Sequence, residues 1–124
     1  MKYKQTFTID RKFWLRGVRD SVLRQSRTKK MCCLGQVSKQ CGVSERRMIE
    51  IYTPKGLFIW AKNVPSSMSF LISKSRLYKG IATNSKFSKK AMSINDNLKT
   101  TDAQKEKALK ELFKAEGYGL KFIN

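Results

Sequence analysis

The chain has no histidine, and acidic residues are scarce: nine Asp and Glu stand against 27 Lys and Arg. Without an imidazole there is no His general acid or base, no Ser–His or Cys–His nucleophile pair, and almost no route to a mixed zinc site. Cysteine is sparse too. Cys32, Cys33 and Cys41 include no CxxC spacing, and an odd count of thiols reads as free and buried. No metal and no cofactor are expected. The carboxylates are too scattered for a metal-dependent nuclease, which needs them clustered. The expectation is a protein that is not an enzyme and takes no small-molecule substrate. Long apolar runs are also missing. LFIWA at 57–61 is far short of the roughly 20 residues that cross a bilayer, and MKYKQTFTID lacks the apolar stretch of a secretory signal. An intracellular protein without a membrane partner is expected.

What is abundant is positive charge, +18 net, and it is unevenly placed. Residues 1–50 carry 13 basic and 4 acidic side chains, residues 51–95 carry 8 and none, and residues 96–124 carry 6 and 5. The last quarter is an ordinary balanced surface. The rest repels itself and attracts polyanions.

Length and patterning predict one α+β domain over residues 1–124, with a strand at each end placed to pair and short helices between. Residues 2–9 alternate, with Tyr3, Gln5, Phe7 and Ile9 on one face. Asp10 can cap a short helix bearing Phe13 and Trp14, ended by Gly17. SVLRQ at 21–25 reads as a strand. Two short helices are expected over 32–41 and 44–51, broken at Gly42 and stopped by Thr53-Pro54-Lys55-Gly56. LFIWA is a strand or a buried helical turn. Leu77, Tyr78, Ile81 and Phe87 should anchor the Ser/Lys-rich stretch 73–90, and INDN at 94–97 reads as a turn. The clearest element is a long C-terminal amphipathic helix. Thr101 and Gln104 have capping-box spacing, Ala108, Leu109, Leu112 and Phe113 form a stripe, and Glu106 and Lys110 support the opposite, solvated face. Gly117 ends it, and YGLKFI alternates as the closing strand.

Three constellations carry possible chemistry. CCLGQVSKQCGVSERRMIE at 32–50 fits a helix-turn-helix. Leu34, Val37, Cys41, Val43, Met48 and Ile51 sit at packing positions, and Arg46 and Arg47 open the second helix, where base-contacting residues lie. The same pattern also serves any tight helical hairpin. The second constellation is the basic tract Arg24, Arg27, Lys29 and Lys30, joined by Lys86, Lys89 and Lys90 in the acid-free middle. Clustered cations release counterions from a nucleic acid and so bind it without sequence preference. Third, Tyr52, Phe58, Trp60, Phe70, Tyr78 and Phe87 lie among these cations, and any that are exposed could stack on unpaired bases.

Segments IDRKFWLRG at 9–17, MCCLGQVSKQCGVSE at 31–45 with TPKGL at 53–57, and SINDNLKTTDAQKEKALKELFKAEGYGLKFI at 93–123 resemble small uncharacterised proteins of tailed bacteriophages. There a WLRG segment precedes a KMCCLG segment, and the chain ends in an IND turn, a charged helix and a strand. The resemblance implies a phage-encoded protein acting in the cytoplasm of the infected bacterial host, with the CCLG segment as shared framework. It assigns no activity. This chain departs from those relatives, which are often acidic, in its excess of Lys and Arg.

Three functions follow as expectations. The first is a non-enzymatic phage accessory protein that binds RNA or DNA through phosphate contacts. Arg24, Arg27, Lys29, Lys30, Arg46 and Arg47 would make the first contacts, with Lys86, Lys89 and Lys90 extending the patch. Interleaved aromatics favour RNA or single strands over duplex. The second is an inhibitor that blocks an acidic surface of a host defence, toxin or polymerase protein. The third is a helix-turn-helix regulator that reads bases through Arg46 and Arg47.

Overall fold

The computed structural model of the chain describes residues 2–19 and 21–124. Alternation at the N-terminus does produce a strand, shorter and later than residues 2–9. It is β1, Thr6–Asp10, with Phe7 and Ile9 buried. Tyr3 and Gln5 precede it and are exposed. Asp10 closes it by accepting a hydrogen bond from the Lys12 amide at 3.0 Å, which opens a 3-10 turn over Arg11–Phe13. That turn ends four residues before Gly17 because Trp14 leaves helical geometry to bridge Met31. Residues 21–25 form no strand. Leu23 donates to Ile51 and Val22 accepts from Cys32, so no single neighbour offers them a ladder.

Helix α1 covers Cys33–Gln40 and α2 only Glu45–Met48, with Gly42 at φ +105° in the turn between them. The second helix stops short of the expected residue 51 because Ile49 turns extended to bridge Arg24 and Glu50 takes φ +57°. A 3-10 turn over Pro54–Leu57 follows. LFIWA forms no single strand or helix: Leu57 ends that turn, Ala61 opens another 3-10 turn over Ala61–Asn63, and between them Trp60 pairs with Ile81 as an isolated antiparallel bridge. Beside that bridge, β2 (Ile72–Lys74) pairs antiparallel with β3 (Ala82–Asn84). Of the four expected anchors in 73–90, Phe87 alone is buried; Leu77 is 88% exposed, at the hairpin tip with Tyr78.

Of residues 94–97, expected as a turn, 94–96 form the end of a third helix, α3, Lys86–Asp96, and Asn97 leaves it in extended geometry; Ser85 Oγ caps its start by accepting from the Ser88 amide at 3.1 Å. Its buried face carries Phe87 and Ala91 but also Ser88 and Asn95, and these polar residues hide the apolar stripe. Helix α4, Asp102–Ala115, has the expected capping box at Thr101 and Gln104 and buries Leu109 and Phe113. Two of its charged residues are drawn in toward the protein and away from solvent. Lys105 is buried, its ammonium donating to Thr100 O and Oγ1 at 2.7 and 2.9 Å. Glu106 turns from Lys110 to clasp Arg11 at 2.7 and 2.9 Å.

After Gly117, at φ +90°, strand β4 (Gly119–Ile123) returns parallel to β1, from Thr6↔Gly119 to Asp10↔Ile123. The terminal strands pair as expected. The other edge of β1 is completed by side chains one turn apart on α1. Gln40 accepts from the Thr8 amide at 2.9 Å and donates to its carbonyl at 2.8 Å; Gln36 does the same with Asp10 at 2.8 and 3.1 Å. Two amide groups thus stand in for a third strand, satisfying backbone that would otherwise lie unpaired. Beneath lies a cluster of Phe7, Phe70, Phe87, Phe113 and Tyr118, with ring centroids 4.3–6.2 Å apart. The fold is α+β.

One buried side chain joins three of the sequence segments. Asn95 Oδ1 accepts from Trp14 Nε1 at 2.7 Å and from the Cys33 amide at 3.1 Å. Its Nδ2 donates to Leu15 O and to Asp96 Oδ1, both at 2.9 Å. WLRG, CCLG and IND therefore meet at a single amide whose two acceptor and two donor capacities are all used.

Candidate nucleic-acid interface

The loop 24–30 is closed by Gln25 N donating to Lys30 O at 2.8 Å, with Lys29 at φ +62°. It lies against residues 45–50: Glu50 N donates to Arg24 O at 2.9 Å and Ser26 N to Glu50 Oε1 at 3.1 Å. The fold thus brings Arg24–Lys30 beside Arg46 and Arg47, but it brings two carboxylates as well. Arg24 turns inward to Glu45 at 3.1 Å, and Lys39 meets the same carboxylate at 3.0 Å. The hydrogen bond from Lys39 first, then that from Arg24, holds the Glu45 carboxyl below its ordinary 4.5. Arg47 donates to Leu57 O at 2.9 Å and covers the Phe58 ring at 5.2 Å. Arg27, Lys29, Lys30 and Arg46 remain exposed. Of the six cations expected to meet a polyanion first, two are already engaged by the protein itself.

Lys86, Lys89 and Lys90 are exposed on one face of α3, at helical spacing. They stand toward the N-terminal end of α3. At the other end Asp96 accepts from Ser21 Oγ at 2.5 Å, and Lys86 lies about 15 Å from that end along the helix axis at its usual rise. As for the helix-turn-helix, α2 is a single turn. Arg46 and Arg47 therefore lead no long second helix.

A different group of residues forms a groove that charge runs alone do not single out. It holds about 590 Å³ and is lined by Trp60, Lys62, Lys74, Ser75, Arg76, Lys79 and Gly80. Backbone pairing shapes it: Ala61 N donates to Gly80 O at 2.8 Å and Ala82 N to Ile59 O at 2.9 Å, laying residues 59–61 along the outer side of β3. The tip is ordered by Ser75, whose Oγ accepts from the amides of Leu77 and Tyr78 at 3.2 and 3.1 Å. Gly80, at φ +83°, has no side chain to cover the Trp60 ring; a Cβ there would sit 3.7 Å from the indole. Four cations, one indole and no carboxylate line it. In the sequence Trp60 is recognisable as one of the interleaved aromatics and the cations as part of an acid-free stretch. Their meeting depends on a hairpin of two three-residue strands, too short to leave a pattern.

The aromatics divide. Phe87 is core and Phe70 packs against it at 5.2 Å, Phe58 is half-buried under Arg47, and Tyr52, Trp60 and Tyr78 are exposed. The cysteines are free thiols. Burial pushes Cys32 up to about 12, Cys33 well above its ordinary 9.0, and Cys41 up to about 11, so none offers a thiolate near neutrality. Among the described residues no three His, Cys, Asp or Glu side chains gather into a ligand set. Among them, too, no helix is long and apolar enough to cross a membrane.

Compared with protein families, curated proteins and solved structures, the chain matches none.

Proposed function

We propose that the chain is a phage-encoded, non-enzymatic protein that binds nucleic acid through phosphate contacts in the cytoplasm of an infected bacterium. Single strands or RNA are preferred over duplex DNA. One observation carries this reading. All four ion pairs among the described residues join Arg11, Arg16, Arg24 or Lys39 to Glu45, Asp102 or Glu106. The eight cations of residues 51–95 have no carboxylate within their own segment, and none of them enters one of those pairs. An unneutralised cationic surface displaces counterions from a polyanion. The phage origin rests on the likeness of the WLRG, CCLG and IND segments to tailed-phage proteins, and the convergence of those segments on Asn95 gives them a framework role. Binding then belongs to side chains outside that framework.

The test is the affinity for labelled single-stranded DNA, RNA and duplex across a salt series. A steep fall is expected. Replacing Lys86, Lys89 and Lys90 with Gln should flatten the log–log slope by about 0.7 to 0.9 for each phosphate that is no longer neutralised. Affinity that stays the same between low and moderate salt refutes the reading.

A second reading has its own support. Leu77, Ile59 at 71% exposure and Tyr78 at 66% are apolar groups standing free among the same cations, as anchors for an acidic protein surface would. A host protein retained in a pull-down after nuclease treatment favours inhibition of that partner; its loss favours nucleic acid.

A further inference from the structure

We propose that the groove between Trp60 and the β2–β3 tip seats one unpaired nucleotide, with the base laid on the Trp60 indole and the flanking phosphates held by Lys62, Lys74, Arg76 and Lys79. This deepens the nucleic-acid reading and rests on it.

Tryptophan carries the largest side chain in this protein, and one of its two copies, Trp14, is fully buried with its N–H bonded to Asn95. The other, Trp60, is 43% exposed. Its ring is also unused: every aromatic pair among the described residues lies elsewhere, and the rings covered by cations are those of Trp14, Phe58, Tyr118 and Phe122. A flat, polarisable surface left uncovered beside four cations is the pairing that a base with its phosphates requires, since stacking is tolerant of base identity and phosphate contacts are blind to it.

Shape agrees with chemistry. At about 590 Å³ the groove falls in the range of small-ligand sites. The nearest competitor, a cleft of about 530 Å³ beside the 24–30 loop, includes the Glu50 carboxylate, which repels phosphate. The tip is also pre-formed. Besides the Ser75 turn, Ser75 N donates to Ile81 O at 2.8 Å and Ile81 N to Tyr78 O at 3.0 Å, so the cations are presented by an ordered loop. Duplex DNA keeps its bases stacked on one another and cannot offer one to the indole. A preference for single strands should therefore reside in Trp60, and general affinity in the cations.

The experiment uses the full chain and a labelled oligothymidylate, with a duplex of the same length as reference. Trp60→Ala should weaken oligothymidylate binding about tenfold or more while leaving duplex binding within about twofold. Trp60→Phe, which keeps an aromatic face, should fall between. Binding should quench the indole emission of the native protein and leave that of Trp60→Ala, which reports Trp14 alone, unchanged. Trp60 lies outside the buried core, so unaltered circular dichroism is expected for both variants. If the oligonucleotide binds with steep salt dependence but Trp60→Ala binds it as well as the native protein, the groove assignment is wrong and the broader reading survives. If neither single strand nor duplex binds at low salt, both fall. Retention of a protein partner after nuclease treatment, with no binding of either nucleic acid, replaces them with the inhibitor reading.

Discussion

Asn95 serves four partners with one amide: the Trp14 indole, the Cys33 peptide N–H, the Leu15 carbonyl and Asp96. Trp14, Leu15 and Cys33 are themselves buried, so none can turn to water if the amide is removed. A buried donor or acceptor left alone costs about 1–3 kcal/mol. Asn95→Ala should therefore lower stability by about 3 kcal/mol or more, read from the urea midpoint of unfolding. A midpoint unchanged by that substitution would show that the amide does not join the three segments. The neighbouring thiols give a second test at the same scale. Burial raises Cys32 and Cys33 furthest and Cys41 less. At pH 8 a thiol reagent should leave the first two untouched in the native protein, modify Cys41 slowly, and titrate all three once urea is added. Fast native labelling of Cys32 or Cys33 would contradict their packing role.

Helix α1 is held to its neighbours by what it lacks as much as by what it carries. At Gly35 a Cβ would stand 1.9 Å from the Leu23 carbonyl oxygen, closer than any non-bonded contact, and that obstacle is backbone. In an exposed helix Gly→Ala is stabilising by about 1 kcal/mol. Here the sign should reverse, with Gly35→Ala losing about 2 kcal/mol or more in chemical unfolding as the helix is pushed off the Leu23 segment. A gain in stability would disprove the close approach. Other elements differ in how plainly the sequence announces them. The capping box at Thr101 and the alternation in β4 are local signals, and both stand in the structure where the pattern puts them. Helix α3 escapes such a reading because Ser88 and Asn95 occupy its buried face, where their hydrogen bonds to Leu71 O and to the Trp14 segment replace apolar packing. Nothing in the local pattern singles out Gln36 and Gln40, whose side chains the tertiary fold binds to the edge of β1. The candidate site divides in the same way. The run at 24–30 is visible as charge, yet the engagement of Arg24 by Glu45 is not. The groove draws Trp60 from one segment and its cations from another, 14 to 19 residues further on for Lys74, Arg76 and Lys79.

Across the whole molecule, +18 of net charge works against compactness, and four ion pairs among the described residues oppose it. Two of the carboxylates in those pairs sit below their ordinary values. Glu45 lies below 4.5 through Lys39 and Arg24, and Asp102 lies below 3.8 chiefly through its hydrogen bond from Arg16. A carboxyl whose folded value is depressed contributes fully above its unfolded value and loses that contribution as pH falls through the folded one. Stability should accordingly begin to fall below about pH 4.5 and continue downward. No histidine titrates between pH 6 and 8, so the melting temperature should be nearly flat there. Salt separates the two electrostatic effects. Raising it from about 0.05 to 0.5 M shortens the Debye length to a few ångströms and screens long-range repulsion more than contacts near 3 Å. If self-repulsion outweighs the ion pairs, the melting temperature at pH 7 should rise by several degrees over that range. A single-stranded oligonucleotide at low salt should raise it further, since a ligand of the native state adds stability in proportion to the logarithm of its concentration over Kd. A melting temperature that falls with added salt would mean that the pairs of Arg11, Arg16, Arg24 and Lys39 dominate. The cations of residues 51–95 would then be too dispersed to act as one surface, and the nucleic-acid reading would lose the field on which it depends.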